Sequence, residues 1–552
     1  MSTSRRTRTR GPTKALVEKV KKARQRASEA VLALQTREGY WWAELQSNVT
    51  ITAEYLMAHR FLGLPRDKFP GLVKEILSQQ LDNGGWSLWY GDGGELSTTV
   101  EAYQALKIAG LPAADPRLTQ ARQFILERGG ALASRVFTRI FLALFGQVSW
   151  DGIPFLPVEF MLMPAWSGLS FYAFANHRVT WKKGGPPLET FFVVVDRLLK
   201  LYARKPWPPL RRLALRQAEH WVLDHQEESG DWGGIQPAMM NSLLALAPPA
   251  HPALTQATAW LLANQIFTPG DWCIKRPDLA PGGWAFEFVN NWYPDIDDSA
   301  VVLMALQEGL PDPSPYQTAL ATGIAWCLGM QSKNGGFAAF DADNTKEWLN
   351  AIPFADLKAL SDPPTEDVTG RVLEMMGIFG YTAEHPVAAR ALSFVRAKQH
   401  PDGSWWGRWG VNYIYGTWSV LMGLRAMGED RRSPMMQKAV AWLKDHQNSD
   451  GGWGECCESY RDPDLKGKGP STASQTAWAL MGLMVTGETA SPEVKAGIQY
   501  LIKTQKKDGR WEEVQFTGTG FPSHFMIRYH LYRDVFPLMA LGMFLRDVEG
   551  EG

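Results

Sequence analysis

Residues 447–453 read QNSDGGW, and the chain repeats that phrase along its length. A Gln followed six residues later by Trp, with Gly between, recurs as Gln35…Trp41 (QTREGYW), Gln80…Trp86 (QLDNGGW), Gln226…Trp232 (QEESGDW), Gln399…Trp405 (QHPDGSW) and Gln505…Trp511 (QKKDGRW). Gln331…Phe337 (QSKNGGF) puts Phe in the Trp position, and Gln265…Trp272 is a looser copy. Each copy follows an amphipathic run such as AVAWLKDH or GIQYLIKT, and a second apolar run such as TASQTAWALMGLMV usually comes later. One helix, a Gly turn and a partner helix, repeated, is the pattern of a helical-repeat protein. Strand signals are sparse and Gly and Pro fall between the helical runs, so the chain is predicted to be nearly all α. The repeated pair is structural in this reading: the Gln amide bonds helix ends while the Trp packs over the next repeat.

At 552 residues the chain predicts two or more domains. Lys and Arg number 57, as do Asp and Glu, and this balance argues against a nucleic-acid partner. The 24 Trp, 25 Phe and 15 Tyr exceed what core packing needs and point to a repeated motif, an aromatic-lined cavity, or both. Cys273, Cys327, Cys456 and Cys457 form no C-x-x-C pair and no zinc spacing with His, which suits a reducing compartment without a disulfide framework. The N-terminus (Arg5, Arg6, Arg8, Arg10, Lys14, Lys19–Arg26) is basic without an apolar core, so it is not a secretory signal. It reads as a solvated tail leading into a helix, with attraction to anionic lipid headgroups as the sharper alternative. Phe160–Asn176 is uncharged, but it falls short of the roughly 20 apolar residues a membrane span needs and contains Pro164 and Gly168.

The chemistry concentrates in Pro281–Ala300, PGGWAFEFVNNWYPDIDDSA. Asp295, Asp297 and Asp298 follow a belt of aromatics, Trp284, Phe286, Phe288, Trp292 and Tyr293, and precede an apolar run, Ala300–Leu306, that predicts a helix. Helix capping accounts for one or two of the acids. Three like charges this close cannot all ionise comfortably, so at least one should hold a proton near neutral pH. A protonated carboxyl facing aromatic rings can protonate a very weak base, and the rings can stabilise the resulting carbocation. Asp297, the middle acid, is the candidate donor. No magnesium-diphosphate D-D-x-x-D, G-x-G-x-x-G, P-loop or H-E-x-x-H is present, and Asp341–Asp343 reads as a turn rather than a calcium loop.

The Asp295–Asp298 sequence resembles the D-x-D-D motif of class II terpene cyclases, and the flanking PGGWAFEF and SAVVLMAL resemble squalene–hopene cyclases in particular. The Gln–Trp repeats resemble that family's QW motifs from about Val31 onward. The resemblance implies an all-α fold of two α/α barrels, one inserted in the other. Residues 1–45 would then hold the basic segment and the first helix of barrel one, 46–235 the second barrel, and 236–552 the rest of barrel one with the acids. It implies protonation-initiated cyclisation of squalene to hopene or hopanol, with no cofactor and no metal.

Asp362–Glu374 (DPPTEDVTGRVLE) matches the segment that supports the conjugate base, with Arg371 where some members have His. Arg371 can bond Asp297, or equally pair with Asp367 at i−4 on one helix. Because Arg cannot relay a proton, Asp297 would be reprotonated through water. By family position Phe286, Phe340, Phe354, Phe521 and Phe525 would face cations, and Trp409, Tyr415, Tyr529 and Tyr532 would line the start of the channel. Glu54, Glu101, Arg135, Gln236 and Pro237 resemble the polar patch around the terminal water, with a structural network as the competing account.

The implied partners are squalene or a related polyprene and a membrane surface, on the cytoplasmic face of the bacterial inner membrane. A homodimer is compatible with the family. The amphipathic stretch Thr190–Tyr202 (TFFVVVDRLLKLY) resembles the monotopic anchor. Two segments look shorter than in the family, one near Trp166–Lys183 and one between Gln236 and Gln265. That shortening keeps two other readings open: a cyclase of a shorter or different polyprenoid, and a lipid-binding relic.

Overall fold

The computed structural model describes residues 12–550 apart from 64, 156, 163–194, 196, 203–207, 225–251, 287–289, 310–313, 346–349 and 351–360. The copy at Gln226…Trp232, residues Gln236, Pro237, Phe288 and Phe354, and most of the two apolar stretches near 160–202 therefore lie outside the described residues.

The N-terminal half carries α1 (Lys14–Leu32), α2 (Thr50–Phe61), α3 (Phe69–Ser78), α4 (Leu96–Ile108), α5 (Pro116–Glu127), α6 (Val136–Leu144) and α7 (Pro208–Asp224). From α8 (Pro252–Ala263) onward, one-faced and more deeply buried helices alternate: α9 (Ile296–Gly309), α10 (Gln317–Gly329), α11 (Glu366–Ile378), α12 (Pro386–Lys398), α13 (Tyr413–Ala426), α14 (Pro434–Asp445), α15 (Ala473–Val485), α16 (Pro492–Thr504) and α17 (Tyr532–Glu549). The outer helix α14 buries only Met436, Ala439, Val440, Trp442 and Leu443, the stripe of a helix with one apolar face. The inner helix α15 is buried at every position from Ala473 to Met484. Outer helices start on strong local signals. Asp115, Ser433 and Ser491 accept backbone N–H groups at the N-caps of α5, α14 and α16, and a Pro follows each cap.

The repeats work as the sequence suggests. The indole N–H groups of Trp41, Trp86, Trp405, Trp453 and Trp511 donate to the carbonyls of Val31, Ile76, Val395, Leu443 and Leu501, ten residues earlier in each case. Gln amides reach sideways as well: Gln399 to Met435 O at 2.9 Å and Gln447 to Glu493 O at 2.8 Å, each bond joining one outer helix to the next. The backbone N–H groups of Trp86, Trp405 and Trp453 donate to Thr99, Thr417 and Thr476 on the inner helices. One copy differs from its expected form. Gln265 bonds Gly282 O and Ala319 O, and the indole that donates back, to Leu261 O at 2.7 Å, belongs to Trp284 rather than Trp272. An inserted loop separates the Gln from its Trp and breaks the fixed spacing.

Gln505 closes the outer circle by donating to Ala23 O at 2.9 Å, which joins α16 to α1. Beyond α1, Gly39 lies so close to Gln256 of α8 that a Cβ there would sit 2.7 Å from Gln256 Cβ. The fold is thus all-α and built of α/α toroids. The first has a continuous core from Leu16 to Leu545, and a second core gathers around α2, α4 and Trp86. Short strands stitch the middle: β1 (Leu45–Gln46) pairs with β5 (Phe525–Tyr529), which pairs with β4 (Gly518–Phe521). Strands β2 (Trp284–Ala285) and β3 (Pro294–Asp295) form a separate pair.

Gly403 tests the turn's role in holding the outer circle. Its φ is +101°, and a Cβ would meet Lys438 O at 2.5 Å. Gly403→Ala is expected to cost roughly 1–3 kcal/mol of stability through backbone strain, read as a lower thermal midpoint. Product identity should not change.

Candidate active site

The three acids sit where the β2–β3 pair hands over to α9. Trp284 lies opposite Asp295 in the pair, and α9 starts at Ile296, so Asp297 and Asp298 fall in its first turn. Ser299 Oγ accepts from Trp284 N at 2.7 Å, and Ile296 N donates to Ala339 O at 2.7 Å. With that turn fixed, the acids differ in environment. Asp295 accepts Asp298 N at 2.9 Å, which is the capping role expected of one of them. Asp298 is buried, and its Oδ2 makes no hydrogen bond. Asp297 is the most open of the three, its side chain 19% exposed.

Burial raises all three pKa values. Asp295 and Asp298 rise well above the usual carboxylate range, with the neighbouring acids adding repulsion. At Asp297 burial outweighs the attraction of Arg371, and the pKa reaches about 6. A partly exposed carboxyl therefore keeps its acid form up to about pH 6, well above the range of a free Asp.

Of the two partners open to Arg371, the structure gives it Asp297. Arg371 Nε stands 3.4 Å from Asp297 Oδ1, Nη1 stands 3.8 Å from Glu374 Oε2, and Nη2 donates to Tyr415 Oη at 3.4 Å. Asp367 is engaged elsewhere, accepting from Thr365, Val368, Arg408 and Trp409. The guanidinium lies 4.9 Å from the Trp418 ring centroid. Burial works against its charge, but Tyr415, Asp297 and Glu374 outweigh burial, and Arg371 holds its proton more firmly than a free Arg. The loose 3.4 Å contact leaves the Asp297 carboxyl close to a cation without a tight neutralising bond.

The aromatic residues predicted from sequence fall into groups. Tyr529 stacks on Tyr532 with centroids 4.3 Å apart, and Tyr415 meets Trp478 edge-on at 4.9 Å. Phe340 meets Trp409 at 5.9 Å, Phe521 and Phe525 lie 6.2 Å apart, and Phe286 is half-buried. Trp418, Trp478 and Phe536 complete the cluster around Tyr415 and Tyr532, and sequence reasoning passed them over. Trp418 is at i+3 from Tyr415 and Phe536 at i+4 from Tyr532, so helical spacing alone could have found those two. The aromatic belt before the acids divides. Trp284 is a buried repeat Trp, and Tyr293 Oη donates to Asp271 Oδ2 at 2.8 Å.

Around the second core, Glu54 of α2, Glu101 of α4 and Arg135 at the start of α6 come together. Glu101 is buried and accepts from Thr138; burial and the charge of Glu54 hold its pKa well above the usual value. Burial also raises Glu54, and Arg135 opposes the rise in both. Arg135 lies 3.8 Å from Glu95 as well. Two carboxyls that share one cation and resist joint ionisation can take up and release a proton.

Comparison with known proteins places the chain in a family. The squalene–hopene cyclase C-terminal domain matches residues 236–546. The N-terminal domain of that family matches in two pieces, 25–181 and 175–264, which meet where the sequence looks short. The chain is 40% identical over 613 residues to the squalene–hopene cyclase of Alicyclobacillus acidocaldarius, covering 95% of this chain and 97% of that one. That span exceeds the 552 residues present here, so parts of the relative have no counterpart. It is 38% identical to the dammaradiene synthase of Dryopteris crassirhizoma, covering 94% and 93%. In structure it resembles ent-copalyl diphosphate synthase from Streptomyces platensis, with a TM-score of 0.54 and 16% identity over 97% of this chain and all of that one, a likeness of fold alone. With these matches spread over nearly its whole length, the chain belongs to the squalene–hopene cyclase family of class II terpene cyclases.

Proposed function

We propose that the protein cyclises squalene to a pentacyclic hopane-type product, with Asp297 as the acid that starts the reaction. The observation that carries this is the Asp297 carboxyl, partly exposed, raised to about 6 and set beside Arg371. Squalene offers no heteroatom, leaving group or metal-binding handle, so protonation of its terminal alkene is the available way to begin. Asp297 gives its proton to that alkene, and Arg371 stabilises the carboxylate left behind. Tyr415, Trp409, Tyr529 and Tyr532 hold the first rings, and Phe286, Phe340, Phe354, Phe521 and Phe525 face the later cations through their π faces. Glu54, Glu101 and Arg135, with Gln236 and Pro237, hold the water that takes the last proton or adds as hydroxyl. The second toroid spans about 46–235 in this reading. The test is incubation of detergent-solubilised protein with squalene, followed by gas chromatography–mass spectrometry. Pentacyclic product supports the reading, and unchanged squalene overturns it.

The reading also gives the protein a membrane surface as partner. Among the described residues no helix is long and apolar enough to cross a membrane. Phe137 and Leu144 of α6, Trp150, Leu198 and Leu201 are exposed large apolar side chains. Lys200 Nζ donates to Asp151 O at 3.0 Å, which brings residues 197–202 beside Trp150. Burying a side chain of this size is worth roughly 1.5–3 kcal/mol, so a few in one place can dock the protein on lipid. Trp150→Glu combined with Leu201→Glu is expected to cut co-flotation with phospholipid vesicles by tenfold or more. Flotation equal to wild type would rule out this face.

A further inference from the structure

Behind Arg371, on the side away from the acid motif, lies a cavity of about 160 Å³ that is not lined by Asp297. It follows the inner helices toward the C-terminal ends of α9 and α11, where Glu308 stands three turns beyond Asp297, about 16 Å at 1.5 Å per residue. Five methionines, Met304, Met422, Met481, Met539 and Met543, line it from α9, α13, α15 and α17. The charged groups that face it are Arg371 and Glu374 from α11, Glu308 from α9, Arg24 from α1 and Arg546 from α17; α13 and α15 contribute no ionisable side chain. A space of this volume with several charged partners can hold several water molecules. Glu374 is the inner carboxyl. Its side chain is 13% exposed, and its Oε2, 3.8 Å from Arg371 Nη1, makes no hydrogen bond. Glu308 is exposed at the outer end.

We propose that this cavity returns protons to Asp297, with Glu374 as the carboxyl that hands them on. The proposal rests on the assignment of Asp297 as the acid. Each turnover leaves Asp297 as a carboxylate, while the last proton leaves the product elsewhere, so the acid must be recharged from water. Arg371 cannot do this itself, because its guanidinium keeps its protons and has no acceptor. The guanidinium does place one carboxylate at each flank, Asp297 on Nε and Glu374 on Nη1. The Glu374 proton passes through water along the guanidinium edge to Asp297 Oδ1, and the Glu374 carboxylate takes a new proton from solvent past Glu308. Burial holds Glu374 at about 7, against the pull of Arg371, so both of its forms are populated near neutrality.

The test compares the first turnover with the steady state, using the full chain with squalene in detergent. In Glu374→Gln the rate of the first turnover should stay within about twofold of wild type, because Asp297 already carries its proton. The steady-state kcat should fall tenfold or more, its solvent deuterium isotope effect should rise, and added acetic acid should restore part of the rate. Gly542→Leu gives the same reading without touching a carboxyl. Gly542 lines the cavity, and a Cβ there meets nothing nearer than Arg24 Nε at 3.8 Å, so a larger side chain is expected to extend into the space that would hold the water. If Glu374→Gln does not fold, Gly542→Leu carries the test alone. An unchanged kcat, or a first turnover that falls together with it, overturns the relay while leaving Asp297 as the acid. A wild type that never converts squalene overturns both.

Discussion

Asp297→Asn is expected to abolish squalene conversion, by at least about four orders of magnitude, in a protein that remains folded. General acids contribute about 10²–10⁴ where a slower route exists; here the reaction has no start without the proton. An Asn keeps the volume and can still face Arg371, so loss of product reports the proton itself. Stability should move the other way. The folded pKa of Asp297 is raised from 3.8 to about 6, so the group favours the fold below about pH 4 and loses that contribution as pH rises through 6. At about 1.4 kcal/mol per pH unit the full cost of ionisation is on the order of 3 kcal/mol, partly offset in the variant because Arg371 loses an anionic partner. The thermal midpoint of Asp297→Asn should therefore match or exceed wild type at pH 8 and lose that advantage at pH 4. An active Asn variant would remove Asp297 from the chemistry.

The fold was largely legible because its signals are local and repeated. A Gln, a Gly turn and a Trp ten residues from the carbonyl it bonds recur with fixed spacing, and burial then follows from helix period. The reading failed where spacing failed: Trp284 lies beyond an inserted loop, and its partner Gln265 pointed to Trp272 instead. Circle closure through Gln505 and Ala23 joins residues at opposite ends of the chain, and only the family resemblance placed an N-terminal piece with the C-terminal half. In the site, the acids were legible because three carboxylates in four residues are costly without a use. The partner of Arg371 was not: a neighbour at i−4 and one 74 residues away are equally plausible until helices α9 and α11 are packed together. Trp478 shares no helix with the aromatics it meets, so no spacing rule reaches it. The cavity behind Arg371 is made by helix ends from across the chain, and no sequence pattern announces it.

Arg371→Gln separates an electrostatic role from a structural one. In wild type kcat/KM should be level below about pH 6 and fall tenfold per pH unit above it, because Asp297 loses its proton there. Arg371 is the main influence opposing burial at that carboxyl, so removing its charge raises the Asp297 pKa further and moves the falling limb to higher pH. A higher pKa also makes a weaker acid. At about 4 Å and an effective dielectric constant near 20, the pair is worth roughly 4 kcal/mol, and the maximal rate should fall by two to three orders of magnitude. The two changes have opposite effects on the profile, a lower plateau that extends further into alkali. A purely structural Arg371, one that only braces Tyr415 and Glu374, predicts something else: a lower plateau with the limb still near pH 6, and a depressed thermal midpoint. Arg371→Lys restores charge without the planar fork that spans Asp297 and Glu374, so it should return the limb toward pH 6 while recovering only part of the rate. A Gln variant with both plateau and limb at wild-type values would show that the carboxylate of Asp297 is stabilised by something other than the cation 3.4 Å away.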